Sequence, residues 1–228
     1  TLFTQYRENA TIINPAAVEG DFIAFGQNMS IGASYRAQWT GISGAPRTQT
    51  LRFSYLNAEG SGVALMAGAH VLNDQTGPTG LTGLYGRLAG ILTDDPVFGG
   101  FVVGLSAGMA NFRVRSSEIV LREQNDVIGT ADQSQFFPDI GAGLFFYRMF
   151  DGGALDGDYI YAGLSVPQVM GLDFTFQTDN GEYLTRRVQH FYGQIGMYNF
   201  FDNDSVVEPS IWIKYAPGAP LNADVNLR

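Results

Sequence analysis

A chain of 228 residues with 45% hydrophobic and 15% charged content contains no apolar run of the roughly 18 residues that a membrane-spanning helix requires. Its formal charge of −9 excludes a general nucleic-acid surface, which needs clustered Lys and Arg, and the absence of Cys removes disulfide and thiolate chemistry. A mean hydropathy near zero suits a transmembrane β-barrel, where lipid-facing and lumen-facing residues alternate and average out along each strand.

Thr1 to Gly20 carries no sustained alternation and reads as a separate N-terminal plug or strap, with residues 21–228 forming the barrel. Tyr6, Ile12, Ile13 and Pro15 give this segment apolar surface to pack, and Arg7, Glu8 and Asn14 are available to meet inward-facing charges. The first strand is predicted at Met29 to Trp39, where Met29, Ile31, Ala33, Tyr35, Ala37 and Trp39 share one parity and Ser30, Gly32, Ser34, Arg36 and Gln38 the other. Successive strand side chains point to opposite faces, so this segment separates an apolar medium from a polar one. Its length of about eleven residues crosses a bilayer when tilted.

The same pattern recurs. Leu51, Phe53 and Tyr55 oppose Arg52 and Ser54 in a second strand at Thr48 to Asn57; Val63, Leu65, Ala67, Ala69 and Val71 oppose Gly62, Gly68 and His70 in a third. Asn73 to Thr79, with Asp74, Gly77 and Pro78, reads as a turn. A fourth strand sets Leu84, Leu88 and Leu92 against Tyr85, Arg87 and Ala89, and a fifth sets Phe101, Val103, Leu105 and Met109 against Gly104, Ser106 and Gly108. Alternation lapses from Arg113 to Gln135, a polar stretch expected to be a long external loop. Ile140, Leu144 and Phe146 then oppose Asp139, Gly141, Gly143, Phe145 and Tyr147. After a Gly/Asp turn at Asp151 to Asp158 come strands around Ile160 to Val166, Phe191 to Met197, Ile211 to Tyr215 and Leu221 to Leu227. Ten strands with mostly polar or small inward residues make an all-β, antiparallel transmembrane barrel. Because alternation still runs at Arg228, and an open edge is not viable in lipid, the barrel is expected to be incomplete at the C-terminus.

Several short words stand out in order: Phe3-Thr4-Gln5-Tyr6, Ile13-Asn14-Pro15-Ala16, Tyr35-Arg36-Ala37-Gln38-Trp39, Gly44-Ala45-Pro46-Arg47-Thr48-Gln49, Asn73-Asp74, Gly77-Pro78-Thr79, Gly163-Leu164-Ser165-Val166-Pro167 and Gly218-Ala219-Pro220-Leu221. Together they resemble the PorP/SprF family associated with the type IX secretion system. The resemblance implies a bacterial outer-membrane barrel of about fourteen strands in a complete member, working with type IX secretion components and outer-membrane lipid. It also implies a role in export and surface retention of a large secreted adhesin or filament protein, recognised through that partner's C-terminal domain and serving gliding or attachment. Gln5, Tyr6, Asn14, Pro15, Arg36, Trp39, Asn73, Asp74, Gly77 and Pro78 carry the family words.

Catalysis finds no support in the residues. His70 and His190 fall on lumen parity without a paired ligand spacing. Asp151 to Asp158 lacks the EF-hand order, and no Ser sits in a Gly-x-Ser-x-Gly elbow followed by an acid and a His. No enzymatic activity and no cofactor are therefore expected. The functional candidates are the lumen-facing charges Arg36, Arg52, Arg87, Asp139, Lys214 and Asp224, which pair with one another, hold the N-terminal segment or line a solute path. Tyr35, Trp39, Tyr55, Phe101 and Phe146 lie on the lipid parity as girdle anchors. Ile119, Val120 and Leu121 form an apolar island in the polar loop and are the candidate partner-binding residues. A surface anchor and a solute channel both fit this pattern. They differ in whether the lumen is filled.

Overall fold

The computed structural model describes residues 6–58, 62–115, 132–170, 173–178, 181–186, 188–201 and 205–228. Two short helices, α1 (Tyr6–Ile13) and α2 (Gly20–Phe25), precede an antiparallel meander. Its strands are β1 (Met29–Ala37), β2 (Arg47–Asn57), β3 (Gly62–Thr76), β4 (Thr79–Thr93), β5 (Gly99–Val114), β6 (Gln133–Met149) and β7 (Tyr159–Val166). They continue with β10 (Phe191–Phe200), β12 (Pro209–Tyr215) and β13 (Asn222–Leu227). Each strand of this path pairs with the next, so the sheet order is β1-β2-β3-β4-β5-β6-β7-β10-β12-β13, with β11 (Val206–Val207) attached to β10. β8 (Asp173–Thr178) and β9 (Gly181–Arg186) form a separate hairpin within the connection from β7 to β10. The sheet is not closed: β1 and β13 are its edges, with no ladder between them among the described residues.

The face assignment read from the sequence holds along the sheet. Ile31, Leu65, Leu88 and Leu105 are exposed, whereas their neighbours Ser30, Met66, Arg87 and Ser106 are buried. Exposed aromatics collect toward both ends of the outward face, Tyr55, Phe101 and Phe146 at one and Tyr35, Trp39, Phe191 and Tyr215 at the other. Aliphatic residues fill most of the band between, the distribution of a barrel that faces lipid.

Three expectations need correction. Asn73 to Thr79 is not a turn as a whole: β3 and β4 stay paired through Thr76↔Thr79, leaving only Gly77 and Pro78 as the loop. Gly77 adopts φ +55°, the left-handed backbone that Gly supplies at the first position of a tight hairpin. Likewise β5 and β6 remain paired to Val114↔Gln133, inside the stretch predicted as loop. In both places apolar alternation stops while the hydrogen-bonded ladder runs on. Polar cross-strand pairs continue the strand there, with Thr48 Oγ1 donating to Asp74 Oδ1 at 2.7 Å, Thr82 Oγ1 to Asn73 Oδ1 at 2.9 Å and Asn111 Nδ2 to Ser134 Oγ at 2.9 Å. The β8–β9 hairpin, whose Phe174 and Phe176 alternate with Thr175 and Gln177, was missed because the run is only six residues long. The inward face is mostly polar or small, as the pattern implies, and its large apolar residues are gathered at one end. Leu56, Met66, Ile91, Val102, Phe145, Tyr147, Tyr159, Tyr161 and Tyr198 fill the half of the interior near the shorter connections.

That apolar half is tied down. Tyr147 and Tyr159 donate their hydroxyls to the carbonyls of Pro96 and Val97, at 2.6 and 2.7 Å, and Tyr161 donates to Glu208 Oε1 at 2.7 Å. Each large ring thus buries its apolar body and finds a partner for its one polar atom.

Candidate functional site

The inward face is organised around the N-terminal segment. α1 ends at Asn14-Pro15, since the residue before a proline is disfavoured in helical backbone. Residues 14–19 then run through the interior to α2, which stops at Gly26 in left-handed backbone. Ala16, Ala17, Val18, Phe22 and Ile23 join the apolar cluster of the sheet, and Ile13 packs on Trp212 of β12. Contacts with residues 8–19 come from β2, β4, β5, β6, β7, β12 and Arg228 just past β13, which is possible only because the sheet curls around them.

Glycine makes the close approach possible. A Cβ at Gly104 would lie 2.5 Å from the Pro15 carbonyl carbon and the Ala16 nitrogen. One at Gly143 would collide with Asn14 Oδ1, and one at Gly163 would stand 2.8 Å from Asn14 Nδ2. These three inward positions on β5, β6 and β7 form a flat track for Asn14-Pro15-Ala16. Asn14 spans it, donating Nδ2–H to the Leu144 carbonyl at 3.1 Å and accepting from the Ala16 amide at 3.0 Å. Ser165 Oγ donates to the Ile13 carbonyl at 2.9 Å.

A charged cluster holds the next turn of chain. Arg52 Nη1 donates to Glu19 Oε2 at 2.8 Å and Arg52 Nη2 to Glu8 Oε2 at 3.4 Å. Ser54 Oγ donates to Glu19 Oε1 at 2.7 Å, and Arg87 Nη2 lies 3.9 Å from the same oxygen. Arg87 Nη1 donates to the carbonyls of Pro15 and Ala17 at 3.1 and 2.9 Å. Gly32 and Gly68 leave room for the two guanidinium groups, since a Cβ at either would approach the Nε atoms of Arg52 and Arg87 to 2.7 and 2.8 Å. Arg52, Arg87 and Glu19 are all buried. Charges removed from water in this way persist only when paired and hydrogen-bonded.

Other predicted charges are distributed differently. Lys214 and Asp224 pair across β12 and β13 at 2.7 Å, Arg36 is half-buried on β1 opposite Thr48, and Arg228 reaches Glu8 at 3.2 Å near the sheet edge. Asp139 is buried on β6 and accepts a hydrogen bond from Tyr85 at 3.2 Å. It lines a cavity with His70, Tyr85 and Tyr192.

The family model for the type IX secretion system membrane protein PorP/SprF matches residues 1–228, the whole chain. The chain belongs to the PorP/SprF family. Among solved structures, the β-domain of the Bordetella autotransporter BrkA is similar, with a TM-score of 0.41, 14% identity, and coverage of 87% of this chain and 81% of that one. No curated protein matches the sequence.

The words that carried the PorP/SprF resemblance have separate places in the fold. Asn14 and Pro15 lie on the glycine track. Tyr6 opens α1, while Gln5 falls outside the described residues. Arg36 belongs to β1 and Asn73 and Asp74 to β3; Gly77-Pro78 is the turn that follows. Trp39 lies beyond the end of β1, exposed, with φ 50°. Ile119, Val120 and Leu121 lie outside the described residues. Sequence reasoning missed Glu19, Ser54 and the roles of Gly104, Gly143 and Gly163. Charge bookkeeping was the available signal for Glu19: inward Arg52 and Arg87 require an anion, and Glu8 and Glu19 are the only acids of residues 1–20.

Proposed function

We propose that this PorP/SprF chain is a non-enzymatic outer-membrane barrel, its lumen plugged by its own N-terminal segment, that supports export and surface anchoring of a large secreted adhesin or filament protein. The observation that carries the reading is the filled interior: residues 13–19 are hydrogen-bonded to Arg87, Ser165 and Leu144 above an apolar cluster that includes Tyr147 and Phe145. A solute channel needs continuous water along its axis, and this packing supports an anchor instead. Apart from the two-residue Gly77-Pro78 turn, the longest connections lie at one end of the sheet, residues 38–46, 115–132 and 167–190, against 58–61, 94–98, 150–158 and 201–208 at the other. Barrels carry their longer loops outside the cell, so we place the partner at that end. The loop bearing Ile119, Val120 and Leu121 is its proposed contact, and the partner's C-terminal domain is the proposed ligand.

Two measurements test the reading. Deleting Thr1 to Gly20 from the full protein should raise its conductance in planar bilayers, and an already open channel unchanged by the deletion favours a porin. Replacing Ile119, Val120 and Leu121 together with Ser should release the secreted partner from the cell surface at normal barrel levels. Full retention in a pull-down removes that loop from the interface.

A further inference from the structure

The outward face is not evenly ridged. Ala162 on β7 lies between Phe146 and Ile195 of the neighbouring strands, and Gly193 on β10 lies between Leu164 and Ile213. Large side chains thus flank two positions that carry almost none, and an apolar groove of about 370 Å³ opens there toward the outside. Sites that hold small ligands have volumes of about 300–1,000 Å³. Arg148 is on the same face of β6 as Phe146, two residues nearer the short-connection end. It is exposed and forms no ion pair with another described residue. Phe101 and Phe146 belong to the aromatic end of the outward band, which marks the membrane interface. Arg148, beyond them, stands at headgroup depth.

We propose that this surface binds one glycerophospholipid, with its phosphate on the Arg148 guanidinium and one acyl chain in the groove over Ala162 and Gly193. A guanidinium presents a planar fork that matches phosphate oxygens, and its long stem lets the charge reach the interface while the methylenes stay on apolar surface. The spacing fits. Ile160 is paired with Arg148, Ala162 is two residues further along β7, and Leu164, paired with Gly193, is four. At about 3.4 Å per residue the groove floor therefore lies from about 7 to about 14 Å below the Arg148 row. An acyl chain descending from a phosphate at the interface crosses that depth, since the hydrocarbon core is about 30 Å thick. A second copy of the chain fits less well: a twofold axis would set the groove against itself, and two facing concavities leave an empty apolar space that costs stability. A flexible chain takes the shape of the groove.

The test titrates the delipidated full chain in detergent micelles with dimyristoyl-phosphatidylglycerol and reads bound lipid by native mass spectrometry. One lipid should bind saturably ahead of any further adducts. Dimyristoylglycerol, which lacks the phosphate, should bind about tenfold or more weakly, and Arg148→Gln should weaken binding of the phospholipid by a similar factor, the loss expected for a hydrogen bond to a charged group. Ala162→Phe, which fills the groove, should abolish the single-lipid peak. Ala67→Phe, the same change at an exposed alanine of β3, should leave it unchanged. Both place an apolar ring on an outward position, and heat-dependent gel mobility checks that each variant is folded. Equal binding of dimyristoylglycerol, displacement of the lipid by inorganic phosphate alone, loss of the peak in Ala67→Phe, or an unchanged peak in Arg148→Gln or Ala162→Phe each overturn the proposal. A lipid-free dimer that Ala162→Phe converts to a monomer gives the groove to a second copy and overturns it as well.

Discussion

Glu19→Gln is the sharpest test of how the N-terminal segment is held. The substitution keeps the shape of the side chain and an acceptor for Ser54, but leaves Arg52 and Arg87, with side chains 8% and 3% exposed, without their shared anion. Two unit charges about 4 Å apart interact by about 4 kcal/mol at an effective dielectric of about 20, and removing one partner of a buried pair costs about 3–5 kcal/mol. The lower end applies here, because Glu8 still faces Arg52 at 3.4 Å. The chain contains no cysteine, so Ala17→Cys, at a position only 1% exposed, reports opening of the segment through its rate of maleimide labelling. A loss of about 3 kcal/mol raises the open population, and with it the labelling rate, by about a hundredfold. Arg52→Met should also speed labelling, and the double variant should fall well short of the product of the two effects, since each single change already breaks the same pair. A labelling rate within about fivefold of the parent, or multiplicative effects in the double variant, would refute the cluster as the clamp.

Gly143→Ala should dislodge Asn14 and cost about 1–3 kcal/mol through overpacking, read by the same labelling rate, with the β-sheet circular dichroism unchanged. Arg placed at the exposed positions Ile31, Leu65 or Leu105 should cost about 2–4 kcal/mol and reduce insertion into liposomes, while Arg at the inward Ser34 of β1 is tolerated better; equal effects on both faces would overturn the lipid assignment. Gly104 does not serve as an inward control, because Pro15 and Ala16 sit against it. Trp212→Ala, which opens a cavity against Ile13, should cost about 3–5 kcal/mol in a urea unfolding series. Lys214→Met, in contrast, removes a pair whose Asp224 side chain is 36% exposed and should change stability by about 1 kcal/mol or less in that series.

Most of the strands were legible from the sequence because alternation is a local property. Ile31 beside Ser30 and Leu105 beside Ser106 record the two media on either side of a strand, and no tertiary knowledge is needed to read them. Alternation records the medium and not the ladder, however. The strands therefore seemed to end near Val71 and Met109, where the outward face turns polar, although pairing continues to Thr76 and Val114. The inward parity of Arg52, Arg87 and Asp139 was equally local, but their partners lie 33 residues away at Glu19 for Arg52, 72 away at Pro15 for Arg87 and 54 away at Tyr85 for Asp139. Only the curl of the sheet brings Gly104, Gly143 and Gly163 into one track beneath Asn14, and only there does the absence of a side chain acquire a purpose. The sequence by itself determined which residues face lipid and which face inward, since each strand meets its medium independently of the others. What fills the inside was decided by the tertiary structure, because the curl of the sheet sets which distant inward residues share the same space.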